Sequence, residues 1–390
     1  MNILFGFTWI LNPKFGGTER VTDILARGLA KRGHTIFYLH TVENRPMDFD
    51  SPAVKDFYIP ETIIDSPQGR ESYEKILREN SIDVVINQGG LMGTCKFLTS
   101  TDYCKKIVVI HFDPQYGYNN YFNSISTLRN SHFTEKCKRI VRCVDAIRRK
   151  RGLKQYLNEL YSYWFQTADY VCLLSDKFYP DIYKVCNHII PSKLTAINNP
   201  NTFTCVDDSY PQKRKQILWA GRLDMKQKRP DRIVKIWKRI YKNYPEWRLV
   251  IAGDGEAREY LETLSKDIPS IELVGRVALE PYYAESEIIC MTSTTEGWGM
   301  VLTEAMAFGA VPIAFQSFAS VKDLLTDRQL VTPFNAKEYT LKLQNLIEEP
   351  ELRMKLRKNG FKILQNFDAD TICKQWENLL LSLNQSTCDL

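Results

Sequence analysis

Short, continuous apolar runs alternate with stretches of helical periodicity along this sequence, and the alternation occurs twice. In the first half the predicted strands are Asn2 to Ile10, His34 to His40, Asp83 to Asn87 and Lys106 to His111, with helical segments between them. Runs of this kind are typical of parallel strands, because helices cover both faces of such a sheet. The pattern therefore predicts an α/β fold.

The alternation restarts after about Asn198. The predicted strands of the second half are Gln216 to Ala220, Arg248 to Ala252, Ile271 to Val274, Ile288 to Thr292 and Val311 to Phe315. A polar stretch, NNPNTFTCVDDSYPQKRK, has no periodicity and joins the halves. Because 390 residues exceed the size at which one core usually stops growing, we predict two domains, residues 1–197 and 198–370.

Composition excludes several classes of protein. The chain is 44% hydrophobic and 25% charged, as in ordinary globular proteins. The apolar start, Ile3 to Leu11, follows no basic residue and indicates a buried strand rather than a signal peptide. No apolar run reaches the roughly 18 residues of a membrane-spanning helix. We expect a cytoplasmic protein, either free or peripheral on the cytoplasmic face of the membrane.

No metal site is predicted. The ten cysteines show neither C-x-x-C nor zinc-like Cys/His spacing and are interpreted as reduced, mostly buried thiols. Two D-x-D triplets, Asp48 to Asp50 and Asp368 to Asp370, lie in polar connecting stretches. We therefore assign neither of them a metal ion.

Residues able to carry chemistry follow the predicted strands. In doubly wound sheets, ligands bind at the carboxyl ends of the strands, where loops lead into helix N-termini. The residues found at these positions are Gly16, Gly17, His111, Arg222, Gly253, Gly255 and Glu296. Two such crevices facing each other would form one interdomain site.

The stretch EGWGMVLTE places two glutamates, Glu296 and Glu304, around a glycine-containing turn and a helix start. A helix start presents free amides and a positive dipole end, which suit a phosphate. Glu304, more than one turn further on, can reach ribose hydroxyls with two charge-assisted hydrogen bonds, while Glu296 meets a sugar on the other side. The residues predicted to surround the phosphate are Gly297, Gly299, Met300 and Val301.

Two cations lie just past a strand end in the second half. Arg222 is in GRLD, and Lys228 is in QKRPD. A diphosphate leaving group gains charge as a glycosidic bond breaks, and two cations can neutralise it without a metal. The sequence thus predicts a site for a nucleotide-diphosphate-sugar as co-substrate, with no cofactor.

Several motifs together resemble one family. They are GRLD with KRPD, IAGDG, ELVGRV, the E-x7-E of EGWGMVLTE, and FGGTERV with LARGLAKRGH. This set resembles the retaining, nucleotide-sugar-dependent glycosyltransferases of the GT-B fold, the family 4-like, group 1 glycosyltransferases. The resemblance spans nearly the whole chain apart from about residues 112–165. It implies two facing Rossmann-like domains with an interdomain cleft.

The resemblance also implies a division of labour. Residues 1–197, completed by a C-terminal helix in 371–390, would bind the acceptor, and residues 198–370 would bind the donor. The acceptor would be a glycan or a lipid-linked glycan of cell-surface polysaccharide biosynthesis, such as capsule, lipopolysaccharide or exopolysaccharide. Transfer would retain the anomeric configuration, with the departing phosphate oxygen taking the acceptor's proton. The nucleotide base, the sugar and the linkage are not fixed by these motifs.

Residue roles follow from the same resemblance. It implies that Arg222 and Lys228 bind the donor diphosphate, that Glu304 holds the ribose and that Glu296 contacts the transferred sugar. The spacing between arginine and lysine is six positions here, so Lys226 remains a rival for the lysine role.

Further positions complete the implied site. Gly17 would lie near the phosphate, and the backbone of Arg276 and Val277 would meet the base. His111 would line the acceptor side of the reaction centre. Gly253 is interpreted first as a turn residue and second as a neighbour of the ligand.

Two other functions remain open at this point. A nucleotide-sugar sensor, or inactive paralogue, would keep the fold without turnover, although Arg222, Lys228, Glu296 and Glu304 argue against it. A nicotinamide-dependent oxidoreductase would need G-x-G-x-x-G after the first strand, where this chain offers only Gly16 and Gly17.

A strongly basic segment covers residues 134–156, with nine basic and two acidic residues. Apolar positions recur among the charges at helical spacing, as in helices that lie on anionic membranes. The alternatives are an ordinary solvated surface and a nucleic-acid contact, but no nucleic-acid-binding module accompanies the segment. We predict no nucleic-acid partner, and a membrane surface or a lipid-linked acceptor as the partner of this segment.

Overall fold

A computed structural model describes residues 1–14, 16–42, 49–116, 133–205 and 213–385, with the backbone alone for 133–147 and 384–385. It divides into two compact units. The first comprises Met1–Asn199 and Ala369–Leu390, and the second comprises Pro200–Asp368. The predicted division, between residues 197 and 198, lies two positions before the observed one.

The first unit has a parallel sheet covered by helices. Its described strands are β1 (Asn2–Gly6), β2 (Thr35–His40), β3 (Lys55–Tyr58), β4 (Val84–Asn87), β5 (Lys105–Ile110), β6 (Tyr170–Leu173) and β7 (Leu194–Ala196). They lie in the order β3-β2-β1-β4-β5-β6-β7, with every pair parallel. The helices are α1 (Gly17–Lys31), α2 (Pro67–Glu79), α3 (Phe133–Thr167), α4 (Tyr179–Val185) and the C-terminal α12 (Ala369–Gln385), with 3-10 turns at Gly93–Thr99, Asp176–Phe178 and Pro191–Lys193.

The second unit repeats this architecture. Its described strands are β8 (Arg214–Ala220), β9 (Arg248–Ala252), β10 (Ile271–Gly275), β11 (Ser286–Met291), β12 (Val311–Phe315) and β13 (Val331–Thr332), in the parallel order β10-β9-β8-β11-β12-β13. The helices are α5 (Pro230–Ile240), α6 (Arg258–Ser265), α7 (Glu280–Glu285), α8 (Met300–Ala307), α9 (Val321–Leu324), α10 (Ala336–Glu348) and α11 (Pro350–Leu364), with 3-10 turns at Tyr241–Asn243 and Gln365–Phe367.

Both sheets reverse their strand order in the middle. In the first unit the reversal is at β1, between β2 and β4, and in the second it is at β8, between β9 and β11. The carboxyl ends of the strands beside such a reversal form the usual ligand crevice of doubly wound sheets.

The elements form where the sequence pattern favours them. Strand β5 reads KKIVVI and is buried over its last four residues, as a central parallel strand requires. Helix α5 starts with Pro230 at its first turn, where no intrahelical amide partner is needed. It buries an apolar face of Ile233, Val234, Ile236, Trp237 and Ile240.

The C-terminal helix packs on the first unit. Helix α12 lies against α1, where Arg32 bonds Asp370 at 2.5 Å and Glu377 at 3.3 Å. A Cβ at Gly28 of α1 would approach Cys373 Sγ to 2.2 Å, so a glycine is needed for this close contact. The charges and the small residue together fix where α12 docks.

Some element boundaries differ from the predictions. Strand β1 ends at Gly6, whereas the apolar run continues to Ile10. Phe7 and Ile10 are still buried, at 6% and 3% exposure, and the Phe7 amide donates to the Leu39 carbonyl of β2 at 3.0 Å. The apolar residues at helical spacing predict a helix from Pro230 to Tyr244, whereas α5 ends at Ile240 and is followed by a 3-10 turn. The short strands β3, β6, β7 and β13 were not predicted, because two to four residues show no usable period.

No helix among the described residues is long and apolar enough to cross a bilayer.

Candidate functional site

Two loops of the second unit lie side by side at the carboxyl edge of its sheet. One follows β8 and contains Arg222 and Lys228, and the other follows β11 and contains Glu296. Because β8 and β11 are neighbours, the loops come together, and the Thr294 amide donates to the Gln227 carbonyl at 2.7 Å. Residues that are about 70 positions apart in the chain thus share one edge.

Asp224 shapes the loop after β8. Its carboxylate accepts hydrogen bonds from the amides of Lys226 at 2.6 Å and Gln227 at 3.0 Å, and from Arg222 Nη2 at 2.9 Å. Burial alone would raise the pKa of Asp224, but these hydrogen bonds outweigh it and lower the pKa below its usual value. The loop is therefore organised around an ionised carboxylate.

Lys228 and Glu296 form an ion pair between the two loops. Lys228 Nζ lies 2.7 Å from Glu296 Oε1, and the side chains are 24% and 7% exposed. Gln227 adds a contact of 3.4 Å from its Nε2 to Glu296 Oε2 and donates to the Thr295 carbonyl at 3.2 Å. An ammonium carries three donors, of which this pair uses one.

Arg222 is the more open cation. Its side chain is 63% exposed, and its Nη2 contacts Asp224 Oδ2 at 2.9 Å and Gln227 Oε1 at 3.4 Å. A guanidinium has five N–H donors in a planar fork, and both contacts use the same nitrogen. Arg222 is thus oriented by the loop and still carries donors for an anion. Lys226 is also exposed.

The turn of EGWGMVLTE is buried. Gly299, the N-cap of α8, has φ +88°, a left-handed conformation that favours glycine. The Gly297 carbonyl accepts a hydrogen bond from Ser320 Oγ at 2.7 Å. Met300 and Val301, which open α8, are half-buried. The turn thus leads the chain from β11 directly into a helix start at the carboxyl edge.

Glu304 lies inside α8 and is only 2% exposed. Its Oε1 accepts from Thr202 Oγ1 at 3.0 Å, and its Oε2 accepts from Tyr283 Oη at 2.7 Å. The carboxylate is therefore held by two hydroxyl groups from different parts of the second unit.

The loop after β9 packs on the loop after β8. The Leu223 amide donates to the Asp254 carbonyl at 2.9 Å, and Gly253 has φ +147°. A Cβ at Gly253 would lie 1.8 Å from the Gly221 carbonyl oxygen. Only a glycine at position 253 lets the two backbones come this close. The Gly253 amide also donates to the nearby Gly275 carbonyl at 2.7 Å. Arg276 is exposed and Val277 half-buried, directly after β10.

Replacing Gly253 by alanine is expected to destabilise the second unit strongly. The added Cβ meets backbone, which cannot move aside cheaply, so we expect a loss of about 3 kcal/mol or more. The measurement is urea unfolding followed by tryptophan fluorescence. Gly33→Ala is the matched control, because Gly33 also has positive φ but nothing lies within 4 Å of its Cβ position. Equal losses in both variants would contradict the steric explanation.

The predicted residues of the first unit lie at the carboxyl edge of its own sheet. His111 follows β5, and its Nε2 hydrogen-bonds Oε1 of Gln88, which follows the neighbouring β4. Burial lowers the pKa of His111 to about 4, so the imidazole is neutral at neutral pH and donates its Nε2 proton to Gln88. Gly16 is the N-cap of α1, where a Cβ would approach Glu19 Oε2 to 2.5 Å, and Gly17 is exposed.

The basic segment falls on α3. Side chains of residues 133–147 are outside the described part, including the apolar positions on which the amphipathic pattern depends. Of the described basic residues, Arg148, Arg149, Arg151 and Lys154 are exposed. No group of three or more metal-binding side chains occurs among the described residues, and Asp48 of the first D-x-D triplet lies outside them.

The structure brings together Arg222, Lys228 and Glu296 at one edge and places Gly297, Gly299 and Glu304 on the segment that follows. Sequence reasoning missed four residues that contact predicted site residues. Asp224, Thr202 and Tyr283 lie in the second unit, and Gln88 contacts His111 in the first unit. Gln88 directly follows a predicted strand, and Asp224 begins a turn in GRLD, so both had a readable signal. Thr202 and Tyr283 had no such signal, because the sequence of a connecting segment or a short helix does not indicate which residues it contacts.

Comparison with known proteins identifies the class. Residues 207–363 match the family model described as "Glycosyl transferases group 1". An uncharacterized glycosyltransferase of Haemophilus influenzae is 26% identical over 377 residues, which cover 94% of this chain and 96% of that protein. The amylovoran biosynthesis glycosyltransferase AmsD of Erwinia amylovora is 29% identical over 57% of this chain and 65% of its own length. The protein is therefore a glycosyltransferase.

Solved structures agree in fold. Sucrose-phosphate synthase from Thermosynechococcus elongatus superposes with a TM-score of 0.75 at 17% identity, covering 99% of both chains. Anabaena HepE, solved with UDP and glucose, gives a TM-score of 0.70 at 15% identity over 97% of this chain and 99% of that one. The fold is GT-B, with two Rossmann-like domains.

Proposed function

We propose that this protein is a retaining glycosyltransferase that moves a sugar from a nucleotide-diphosphate-sugar to a glycan or lipid-linked acceptor, without a metal ion. The observation that carries the proposal is the joint position of Arg222, Lys228 and Glu296 at one edge of the second sheet. The two cations suit the binding of a diphosphate, and the carboxylate beside them suits a hydrogen bond to a sugar hydroxyl.

In the proposed reaction, Arg222 and Lys228 bind the donor diphosphate and stabilise the charge that develops as the glycosidic bond breaks. Glu296 contacts the transferred sugar, and Glu304 holds the ribose. Met300 and Val301, with Gly297 and Gly299, line the phosphate side.

In the first unit, His111 lines the acceptor side. Its pKa of about 4 makes it a neutral hydrogen-bonding group, so it is not charged at neutral pH. The departing phosphate oxygen takes the acceptor's proton. Gly17 and Gly16 are proposed near the phosphate, and Arg276 and Val277 near the base.

The relatives support a role in polysaccharide assembly. One relative, from Campylobacter jejuni, is named as an N-acetylgalactosaminyltransferase that acts on an undecaprenol-linked glycan and is 28% identical over 46% of this chain and 51% of its own length. We propose the same general class of acceptor here, at the cytoplasmic face of the membrane. The exposed basic residues of α3 are proposed to face anionic lipid, which co-sedimentation with anionic and neutral vesicles tests.

Donor hydrolysis is the direct test of the proposed function. The protein is incubated with a panel of UDP- and GDP-sugars, and release of the nucleoside diphosphate is measured with and without a chelator. We expect release from one donor, unaffected by the chelator, and a product with the donor's anomeric configuration by NMR. Binding of a nucleotide sugar without turnover would indicate a sensor instead. In a parallel titration with UDP, GDP and NADH, tighter binding of NADH would indicate an oxidoreductase.

A further inference from the structure

Both oxygens of Glu304 are held by hydroxyl groups, and the two groups come from separate segments. Thr202 lies in the connecting segment at the start of the second unit, and Tyr283 lies in α7. Their hydroxyls donate to Oε1 at 3.0 Å and to Oε2 at 2.7 Å. Hydrogen bonds to an ionised carboxylate are among the stronger ones in proteins.

The terminal torsion angle of a glutamate side chain has a broad distribution, so a carboxylate without hydrogen-bond partners has no fixed orientation of its plane. One donor on each oxygen removes that freedom, because the carboxylate plane must then satisfy both bonds. A vicinal diol needs a carboxylate in a defined orientation, since its two hydroxyls point in fixed directions.

Both donors are themselves held rigidly. The Asn201 amide, next to Thr202, donates to the Phe367 carbonyl at 2.7 Å. The Tyr283 ring is fully buried, with the Phe308 ring 5.9 Å away, and Lys213 Nζ donates to the Tyr283 carbonyl at 3.0 Å. A hydroxyl on a fixed backbone or a packed ring can set the geometry of its partner.

We propose that Thr202 and Tyr283 are positioning residues that orient the Glu304 carboxylate for the two ribose hydroxyls of the donor nucleotide. This inference rests on the proposed function, in which Glu304 holds the ribose. It assigns Thr202 and Tyr283 a role in selecting ribonucleotides over 2′-deoxyribonucleotides, with no direct contact to the nucleotide.

The test compares ribo- and deoxyribonucleoside diphosphates by calorimetry. Affinities for UDP and dUDP, or for GDP and dGDP if GDP binds more tightly, are measured for each variant. We expect the wild type to prefer the ribonucleotide by about 10-fold or more, since a hydrogen bond to a charged group is lost in the deoxy form. In Thr202→Val and in Tyr283→Phe we expect the ratio of the ribonucleotide affinity to the deoxyribonucleotide affinity to fall to about 3-fold or less.

Matched variants separate positioning from folding. Thr202→Ser keeps the hydroxyl and is expected to restore the ratio. Tyr282→Phe removes a hydroxyl from the adjacent tyrosine and is expected to leave the ratio unchanged. A general loss of stability lowers both affinities alike, so it does not change the ratio. If Tyr283→Phe gives little folded protein, the valine and serine variants at Thr202 carry the test.

Glu304→Gln distinguishes the two possible failures. Glu304→Gln could lose the preference for the ribonucleotide while Thr202→Val and Tyr283→Phe keep it. In that case the positioning inference is wrong and the ribose role of Glu304 stands. If the wild type shows no ribose preference, or Glu304→Gln keeps it, the ribose role fails and the inference fails with it. If no nucleoside diphosphate binds, the proposed function itself is wrong.

Discussion

Lys228→Met is expected to slow sugar transfer by about 100- to 1000-fold, the usual cost of one lost donor at a developing charge. Lys228 is held by Glu296 at 2.7 Å, at the strand end where the diphosphate is proposed to bind. Methionine keeps most of the volume of the side chain and removes only the charge. The measurement is kcat/KM for transfer, or for donor hydrolysis where the acceptor is unknown.

Lys226→Met is the matched control, because Lys226 is a lysine of the same loop and the rival for this role. Its backbone amide bonds Asp224 at 2.6 Å, a contact that the substitution keeps. We expect its kcat/KM to stay within about 3-fold of the wild type, as for an exposed side chain that makes no essential contact. A large loss in Lys226→Met with little loss in Lys228→Met would reverse the assignment.

Loss of the ion pair also affects stability, and a second variant separates this effect. Removing Lys228 leaves the Glu296 carboxylate buried without its cation, which costs about 3 kcal/mol or more in comparable buried pairs. The double variant Lys228→Met with Glu296→Gln leaves no unpaired charge. We expect it to regain stability in urea unfolding, which identifies the unpaired Glu296 carboxylate as the source of the stability loss. Because Glu296 is itself proposed to contact the sugar, activity is compared in Lys228→Met alone, at a temperature where urea unfolding shows that this variant is folded.

Arg222→Ala is expected to slow transfer by about 100-fold or more while leaving the fold intact. The side chain is 63% exposed, so its removal creates no cavity, but it takes away the planar donor fork that suits a diphosphate. Arg222→Lys is expected to recover only part of the rate, because lysine restores the charge without the fork. Steady-state kinetics with the active donor measure both variants.

Arg239→Ala provides the comparison for Arg222, since Arg239 is an exposed arginine on α5. We expect wild-type kcat/KM and an unchanged urea midpoint. Wild-type kinetics in Arg222→Ala would remove the arginine from the proposed mechanism, whatever the result for Lys228.

Much of the fold was predictable, because parallel strands that are buried on both faces appear in the sequence as continuous apolar runs. The run IVVIHF and the GRLD and GDG strand ends mark β5, β8 and β9 directly in the sequence. The short strands β3, β6, β7 and β13 were not predicted, because such short strands form by pairing with a neighbour, which is a tertiary effect.

The candidate site was predictable in its residue types and less so in its contacts. Strand-end reasoning found Arg222, Lys228 and Glu296, because the carboxyl ends of adjacent parallel strands meet at one edge. It did not find the ion pair between Lys228 and Glu296, because the partner of a flexible lysine depends on how two loops pack. Asp224, which organises the first of these loops, lies in the GRLD motif but was not predicted to have this role.

The sequence by itself determined the two α/β halves, the loops that carry cations and glutamates, and the resemblance to group 1 glycosyltransferases, because these depend on local periodicity and spacing. Only the tertiary structure decided that Lys228 pairs with Glu296 and that Thr202 and Tyr283 hold Glu304. Thr202 and Glu304 are 102 positions apart, and a hydrogen bond over that separation exists only once the second unit has packed.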